Sequence, residues 1–241
     1  MRALGGMLAA LLPLAGCTSA MPLLAGGGTT QQGLAAATAG GAARVPVGRA
    51  RPDAPEGSLA HAAGAGGVVP AAGTRVGVAR HWDAGLFVAG TDVRLEGRRE
   101  IVLEEASTRP SVLLGAGLVA GYVDDDGLGD AHPASGGRFG VEVPAVYAVE
   151  FGPVYDLWMG VRLGAEHLRG QFRAAPEQPM RAASATTLRA GAVVGLGAGF
   201  RRLHAQLELT AYYEAWLGEP EDSGLEGGLV LVPAFALRVR L

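Results

Sequence analysis

Six arginines and eight carboxylates recur at alternate positions of extended-looking segments. They are Arg94, Arg98, Arg162, Arg189, Arg238 and Arg240 against Glu96, Glu100, Glu142, Glu150, Asp156, Glu166, Glu208 and Glu214. Residues two apart on a strand share a face, so these groups are expected on one side of a sheet. The chemistry open to them is ion pairing. In a narrow, poorly hydrated space unpaired charges are costly, so a filling of Arg/Glu pairs is expected. In a wider, water-filled space the same charges would set the selectivity of a narrow pore.

Other constellations carry less. Asp124-Asp125-Asp126-Gly127-Leu128-Gly129-Asp130 is similar to a fragment of a calcium loop. With Asp126-Gly127 as the central pair, the first and last positions become Tyr122 and Pro133, neither of them a ligand, so the segment reads as an acidic solvated loop. His61, His81, His132, His167 and His204 lack metal-ligand spacing. His167 and Glu166 are adjacent on a strand and point to opposite faces, which argues against a catalytic dyad. Gly195-Leu196-Gly197-Ala198-Gly199 precedes a turn with no helix pattern to hold a phosphate. No catalytic residue, metal site or bound cofactor is expected.

A net charge of −3 gives no basic excess and disfavours nucleic-acid binding. With 49% hydrophobic residues there is enough apolar surface to offset chain entropy, which argues against disorder throughout. A lone cysteine, Cys17, excludes an intrachain disulfide and a Cys-based zinc site.

The elements that would position the charges are strands. Residues 203–217 read Leu203, Ala205, Leu207, Leu209, Ala211, Tyr213, Ala215, Leu217 on one face. His204, Gln206, Glu208, Thr210, Tyr212, Glu214 and Trp216 interleave on the other. Residues 139–151, 155–166 and 188–200 repeat this alternation, the strand signal. Ten strands are expected, near 57–66, 73–80, 84–90, 93–102, 110–122, 138–151, 155–168, 185–200, 202–217 and 227–241. No long amphipathic helix separates them, so an antiparallel meander is expected. Pro144 and Pro233 fall inside strands, where each removes a ladder donor and would mark a bulge or a misplaced boundary.

Alternation alone does not say which face is inside. Strands of 12–16 residues exceed the usual soluble length of about 5–6. Aromatics sit at the strand ends: Tyr122, Phe139 and Tyr213 would ring one interface, and Phe151, Tyr155 and Phe200 the other. Phe139 to Phe151, tilted near 45°, spans about 28 Å. That approaches the roughly 25 Å apolar band of a membrane barrel. Connections alternate: 152–154 and 200–202 are tight, whereas 123–137, 169–184 and 218–226 are long and polar.

On these strands the chain resembles small bacterial outer-membrane β-barrel proteins of eight to ten strands. The resemblance implies an all-β, antiparallel up-and-down transmembrane barrel of about ten strands, with eight as the alternative, in a Gram-negative outer membrane. Both termini would be periplasmic, with outer-membrane lipids and the barrel-assembly machinery as partners. The C-terminal Leu241 departs from the aromatic residue usual there.

Upstream, Arg2 precedes an apolar run ending in Leu14-Ala15-Gly16-Cys17, a secretory signal pattern. Leu-Ala-Gly-Cys resembles the lipobox of bacterial lipoproteins. The resemblance implies cleavage after residue 16, a covalent lipid on Cys17 and, with Thr18 following, sorting to the outer membrane. The expected organisation is a signal peptide at 1–16, a lipidated Gly/Ala/Pro-rich flexible linker at 17–55 and a barrel domain at 56–241.

The expected function is structural or interaction-based, through the outer loops and an unidentified extracellular ligand. The alternatives are a narrow passive channel for small solutes, a membrane-tethered soluble barrel for a small apolar ligand, and a lipid-modifying barrel enzyme.

Overall fold

The computed structural model describes residues 21–48, 63–64, 66–104, 108–125, 134–173, 177, 179–200, 202–217 and 227–241. Ten strands run in order: β1 (Ala35–Val47), β2 (Gly67–Ala79), β3 (Trp82–Ala89), β4 (Asp92–Val102), β5 (Thr108–Asp125), β6 (Ala134–Phe151), β7 (Tyr155–Phe172), β8 (Arg181–Phe200), β9 (Leu203–Leu217) and β10 (Gly228–Arg240). Each pairs antiparallel with its chain neighbours, and β1 pairs β10 from Ala36↔Arg240 to Val47↔Leu229. The sheet is therefore a closed barrel with no free edge, and each strand's ladder groups have partners on both sides.

The two ends differ. At one, β2–β3, β6–β7 and β8–β9 are joined by two or three residues, and the chain ends beside the start of β1. At the other, β5–β6, β7–β8, β9–β10 and β1–β2 are joined by 8 to 19 residues, most of them outside the described residues. The segments 123–137, 169–184 and 218–226 open at this end. Strand β5 reaches Asp125, β6 begins at Ala134 and β7 reaches Phe172, so parts of the first two expected loops are strand. Their polar residues continue the ladder without the hydropathy alternation that marks a strand in the sequence.

The segment read as linker needs correction. Strand β1 lies wholly within 17–55, and the stretch before it is buried inside the barrel. Strand β1 reads AAATAGGAARVPV; Ala36, Thr38, Ala42 and Arg44 turn inward. Alanine and glycine are too small for the two faces to contrast in hydropathy. The expected first strand, 57–66, falls mostly outside the described residues, and residues 63, 64 and 66 are not strand. Residues 1–20, with the expected signal peptide and Cys17, also lie outside the described residues.

Neither internal proline makes a bulge. Leu114↔Ala145 and Gly117↔Glu142 keep one register across Pro144. Ala42↔Ala234 and Val45↔Leu231 do the same across Pro233. The ladder is interrupted beside each proline and then resumes.

Candidate functional site: the barrel lumen

The apolar faces point outward. Leu157, Met159, Val161 and Leu163 on β7, and Leu203, Leu207 and Leu209 on β9, are exposed. So are the six end aromatics, Tyr122, Phe139 and Tyr213 at the long-loop end and Phe151, Tyr155 and Phe200 at the short-turn end. The outside is thus an apolar belt between two aromatic rings. The apolar positions do not line an internal cavity, as a soluble barrel for an apolar ligand would require.

The charges point inward. Of the fourteen named in the sequence, Arg94, Glu96, Arg98, Glu100, Glu142, Asp156, Arg162, Glu166, Glu208, Glu214 and Arg238 are buried, and Glu150, Arg189 and Arg240 are half-buried. They form tiers across the lumen. Near mid-height Glu96 accepts from Arg75 Nε at 2.9 Å and forms an ion pair with Arg94, whose Nε lies 2.9 Å away, and Arg94 continues to Glu142 at 3.4 Å. Glu142 in turn binds Arg162 Nη2 through both oxygens at 2.9 Å. Phe87 lies between the guanidiniums of Arg75 and Arg94, 4.3 and 5.1 Å from its ring centre.

Toward the short turns Arg98 binds Asp83 in a fork at 2.9 and 2.6 Å. Arg109 bridges Glu100 at 3.1 Å and Glu150 at 3.3 Å, and Arg240 joins Glu150 at 3.4 Å and Asp156 at 3.7 Å. Toward the long loops Glu214 links Arg44 at 2.6 Å and Arg189 at 2.8 Å, and Arg189 continues to Glu166. Arg138 pairs with Asp92. In these pairs each ion offsets its partner's desolvation, and breaking one buried pair typically costs about 3–5 kcal/mol; Glu208 and Arg238 are buried without an ion pair among the described residues.

Sequence reasoning missed Arg44, Arg75, Asp83, Asp92, Arg109 and Arg138. A signal for three of them was present. Asp92 continues the parity of Arg94, Glu96, Arg98 and Glu100, and Arg138 that of Glu142, but both fall at strand ends. Arg75 shares a face with Ala71 and Gly73 on β2, where small neighbours hide the alternation.

The larger omission is an occupant. Residues 21–30 run down the inside of the barrel as a bent strap, left-handed at Leu24 (φ +46°) and Gly26, from near mid-lumen to the short-turn end. Met21, Leu23, Leu24 and Ala25 are all at most 3% exposed. Leu23 and Ala25 pack among Leu113, Val146, Ala148, Trp158 and Val193; Leu24 packs on Val230, Val232 and Tyr212. Full burial of Met21, Leu23 and Leu24 is worth about 1.5–3 kcal/mol each.

The wall arginines hold the strap by its backbone. Arg162 Nη2 donates to Met21 O at 3.0 Å, Arg75 Nη1 to Leu24 O at 2.8 Å and Arg98 Nη1 to Ala25 O at 2.8 Å. Glu208 accepts from Leu23 N at 2.6 Å and from Trp158 Nε1 at 3.1 Å, and Asp83 accepts from Thr30 N at 2.9 Å. Gly26 takes a left-handed φ of +68° against Arg238 and Gln206, a conformation that favours glycine. Below it Gln32 bridges Gly77, where the strap turns into β1.

Little space is left. A cavity of about 20 Å³, room for one water, is lined by Met21, Glu142, Arg162, Arg189 and Tyr212. At the long-loop mouth Ala63 sits among Val123, Ala134 and Leu168, and Gly64 O accepts from Arg44 Nη1. Among the described residues no group of three or more His, Cys, Asp or Glu side chains could hold a metal ion. His167 Nδ1 lies 3.1 Å from Thr186 Oγ1 and stacks obliquely on Phe139 on the outer side; Glu166 points inward to Arg189. The two are not brought together.

No family model matches the sequence, and neither does any curated protein. Solved structures that resemble the fold include Neisserial surface protein A (NspA), 11% identical, covering 86% of this chain and 95% of that one, with a TM-score of 0.38. Another is Ail, the attachment invasion locus protein of Yersinia pestis, in complex with the heparin analogue sucrose octasulfate. It is 13% identical, covers 88% of this chain and 100% of that one, and has a TM-score of 0.36. The closed ten-stranded barrel is defined by the chain's own strand pairings.

Proposed function

We propose that this chain is an outer-membrane β-barrel lipoprotein with a structural or interaction role, exercised through its long-loop end. The observation that carries the reading is the inverted polarity: an apolar belt between two aromatic rings outside, and tiers of ion pairs inside. Water on the belt would leave a contiguous apolar surface around the whole molecule, whereas lipid removes that cost. The short turns and Leu241 would then be periplasmic. The segments 123–137, 169–184 and 218–226 would face outward and carry recognition of an extracellular ligand.

Membrane fractionation and mobility on SDS gels test the placement. A folded transmembrane barrel stays with the outer membrane and shifts on boiling. Metabolic labelling with a radiolabelled fatty acid tests the lipid: wild type takes up label, and Cys17→Ser does not. Label retained by Cys17→Ser removes the lipobox reading. Replacing each long loop with a short Gly-Ser turn tests the working surface; the barrel should still shift on boiling while binding to its target is lost.

A further inference from the structure

The structure assigns a binding site to the outside of the barrel: a polar cleft at the long-loop rim of β7 and β8 that takes the phosphorylated headgroup of a lipid in the leaflet there. This goes beyond the membrane-barrel reading above and rests on it.

The cleft holds a cation that the protein itself leaves without a partner. Every Asp and Glu of β6, β7 and β8 stands at an inward position: Glu142, Glu150, Asp156 and Glu166. Arg138, Arg162 and Arg189 turn inward with them, each onto a carboxylate. Arg169 stands at an outward position, level with Gly137 on β6 and Ser184 on β8. It is exposed and has no hydrogen bond or ion pair among the described residues. The outer face of these three strands thus carries this guanidinium and no carboxylate. Another outward guanidinium, Arg99 at the short-turn end, differs: it lies over the ring of Trp82, 5.6 Å from its centre.

The height fits a headgroup. Phe139, in the aromatic ring at the long-loop end, is level with His167. Arg169 is two residues further out, about 5 Å for strands tilted near 45°. Aromatic rings mark the membrane interface, so Arg169 stands at headgroup depth. Below it Val141 and Leu188 offer exposed apolar surface for acyl chains.

The space and the donors fit as well. The cleft measures about 400 Å³ and is lined by His167, Arg169, Ala182, Ala183 and Ser184. Its β8 side is open because those three residues are small. A guanidinium fork matches phosphate oxygens, and Ser184 adds a hydroxyl. His167 Nδ1 is taken by Thr186 Oγ1 at 3.1 Å, which leaves Nε2 for the ligand. Glu166 is turned inward, so the imidazole has no carboxylate to orient it as a base, which suits the cleft to binding and not to hydrolysis.

Thermal unfolding of the full chain in non-ionic detergent micelles tests the site, with diphosphoryl lipid A as the lipid and inorganic phosphate as the free anion. A ligand that binds the folded barrel raises its unfolding temperature. Lipid A should raise it for wild type and equally for Arg99→Gln. Arg169→Gln removes the charge, and Ala182→Leu keeps every charge but fills the cleft. Each should weaken lipid A binding about tenfold or more. Both positions are exposed, so both variants should keep the heat shift on SDS gels; Ser184→Leu replaces Ala182→Leu if that variant loses it. Wild-type affinity in either variant, or an equal loss in Arg99→Gln, reduces the cleft to general surface attraction and overturns the proposal. Inorganic phosphate that raises the temperature as far as lipid A overturns lipid as the occupant. A wild-type chain without the heat shift fails the membrane reading, and the site falls with it. A heat-shifting chain that lipid A leaves unchanged fails the site alone.

Discussion

At the residue scale the lumen is a set of ion pairs whose members cannot be removed singly. Asp83 is 1% exposed and takes two bonds from Arg98 and one from Thr30 N, so Arg98 is the one cation among its bonding partners. Arg98→Met strands that carboxylate, and the folded barrel is expected to lose about 3–5 kcal/mol in detergent-micelle urea unfolding. Arg98→Met with Asp83→Leu should recover most of the loss, since neither charge is then left buried. A double variant as unstable as the single would mean that these charges are hydrated and the lumen is wet. Much of this network was legible in the sequence because alternate positions on a strand must share a face. The pairing partners were not, because register between strands sets which Arg meets which Glu. Glu96 on β4 meets Arg75 on β2, across the intervening β3.

At the element scale the strands were readable wherever large residues alternate with polar ones, and unreadable where both faces are small. Strands β6 to β10 fall in the first class. Strand β1, built of Ala and Gly, falls in the second, and the strap before it carries only a short apolar run, Met21 to Ala25, that gives no strand period. The orientation of the strands makes a depth-dependent prediction. Val161, at mid-height on β7, is 53% exposed, and Phe200, at the short-turn rim, is 70% exposed. Val161→Arg is expected to cost about 2–4 kcal/mol, and Phe200→Arg about 0–1, in the reversible folding of the barrel in lipid vesicles. Equal, negligible costs would mean that the belt faces water. A packing prediction concerns the inner faces of β7 and β8. A side chain at Gly195 would meet the ring of Trp158, which is 1% exposed and bonded to Glu208. Gly195→Leu should cost about 1–3 kcal/mol. Combined with Trp158→Ala it should cost less than the two singles summed, read by the same unfolding curves.

At the scale of the whole molecule, the strap and the expected lipid anchor compete. Met21 bonds Arg162, seven residues above the start of β7, so it sits about 16 Å above the short-turn end for strands tilted near 45°. Cys17 is four residues away, a reach of at most about 14 Å. A lipid on Cys17 in the leaflet at the short-turn end would therefore use the full reach of these four residues and pull on the strap's seat. Chain acylated at Cys17 is expected to expose an Ala25→Cys reporter that Cys17→Ser chain shields, read by maleimide labelling of outer-membrane vesicles. Equal shielding would place the acyl chain elsewhere or nowhere.

The central claim is that the apolar belt meets lipid, and the most direct measurement is the mobility of the Cys17→Ser chain from the outer-membrane fraction on SDS gels, with and without boiling. Without its thiol this chain has no acyl anchor, so only the belt can hold it in the membrane. Membrane retention together with a mobility shift on boiling is the expected result. Release into the soluble fraction with a single mobility before and after boiling would contradict it, because a barrel with this exterior would then have to carry its apolar belt in water.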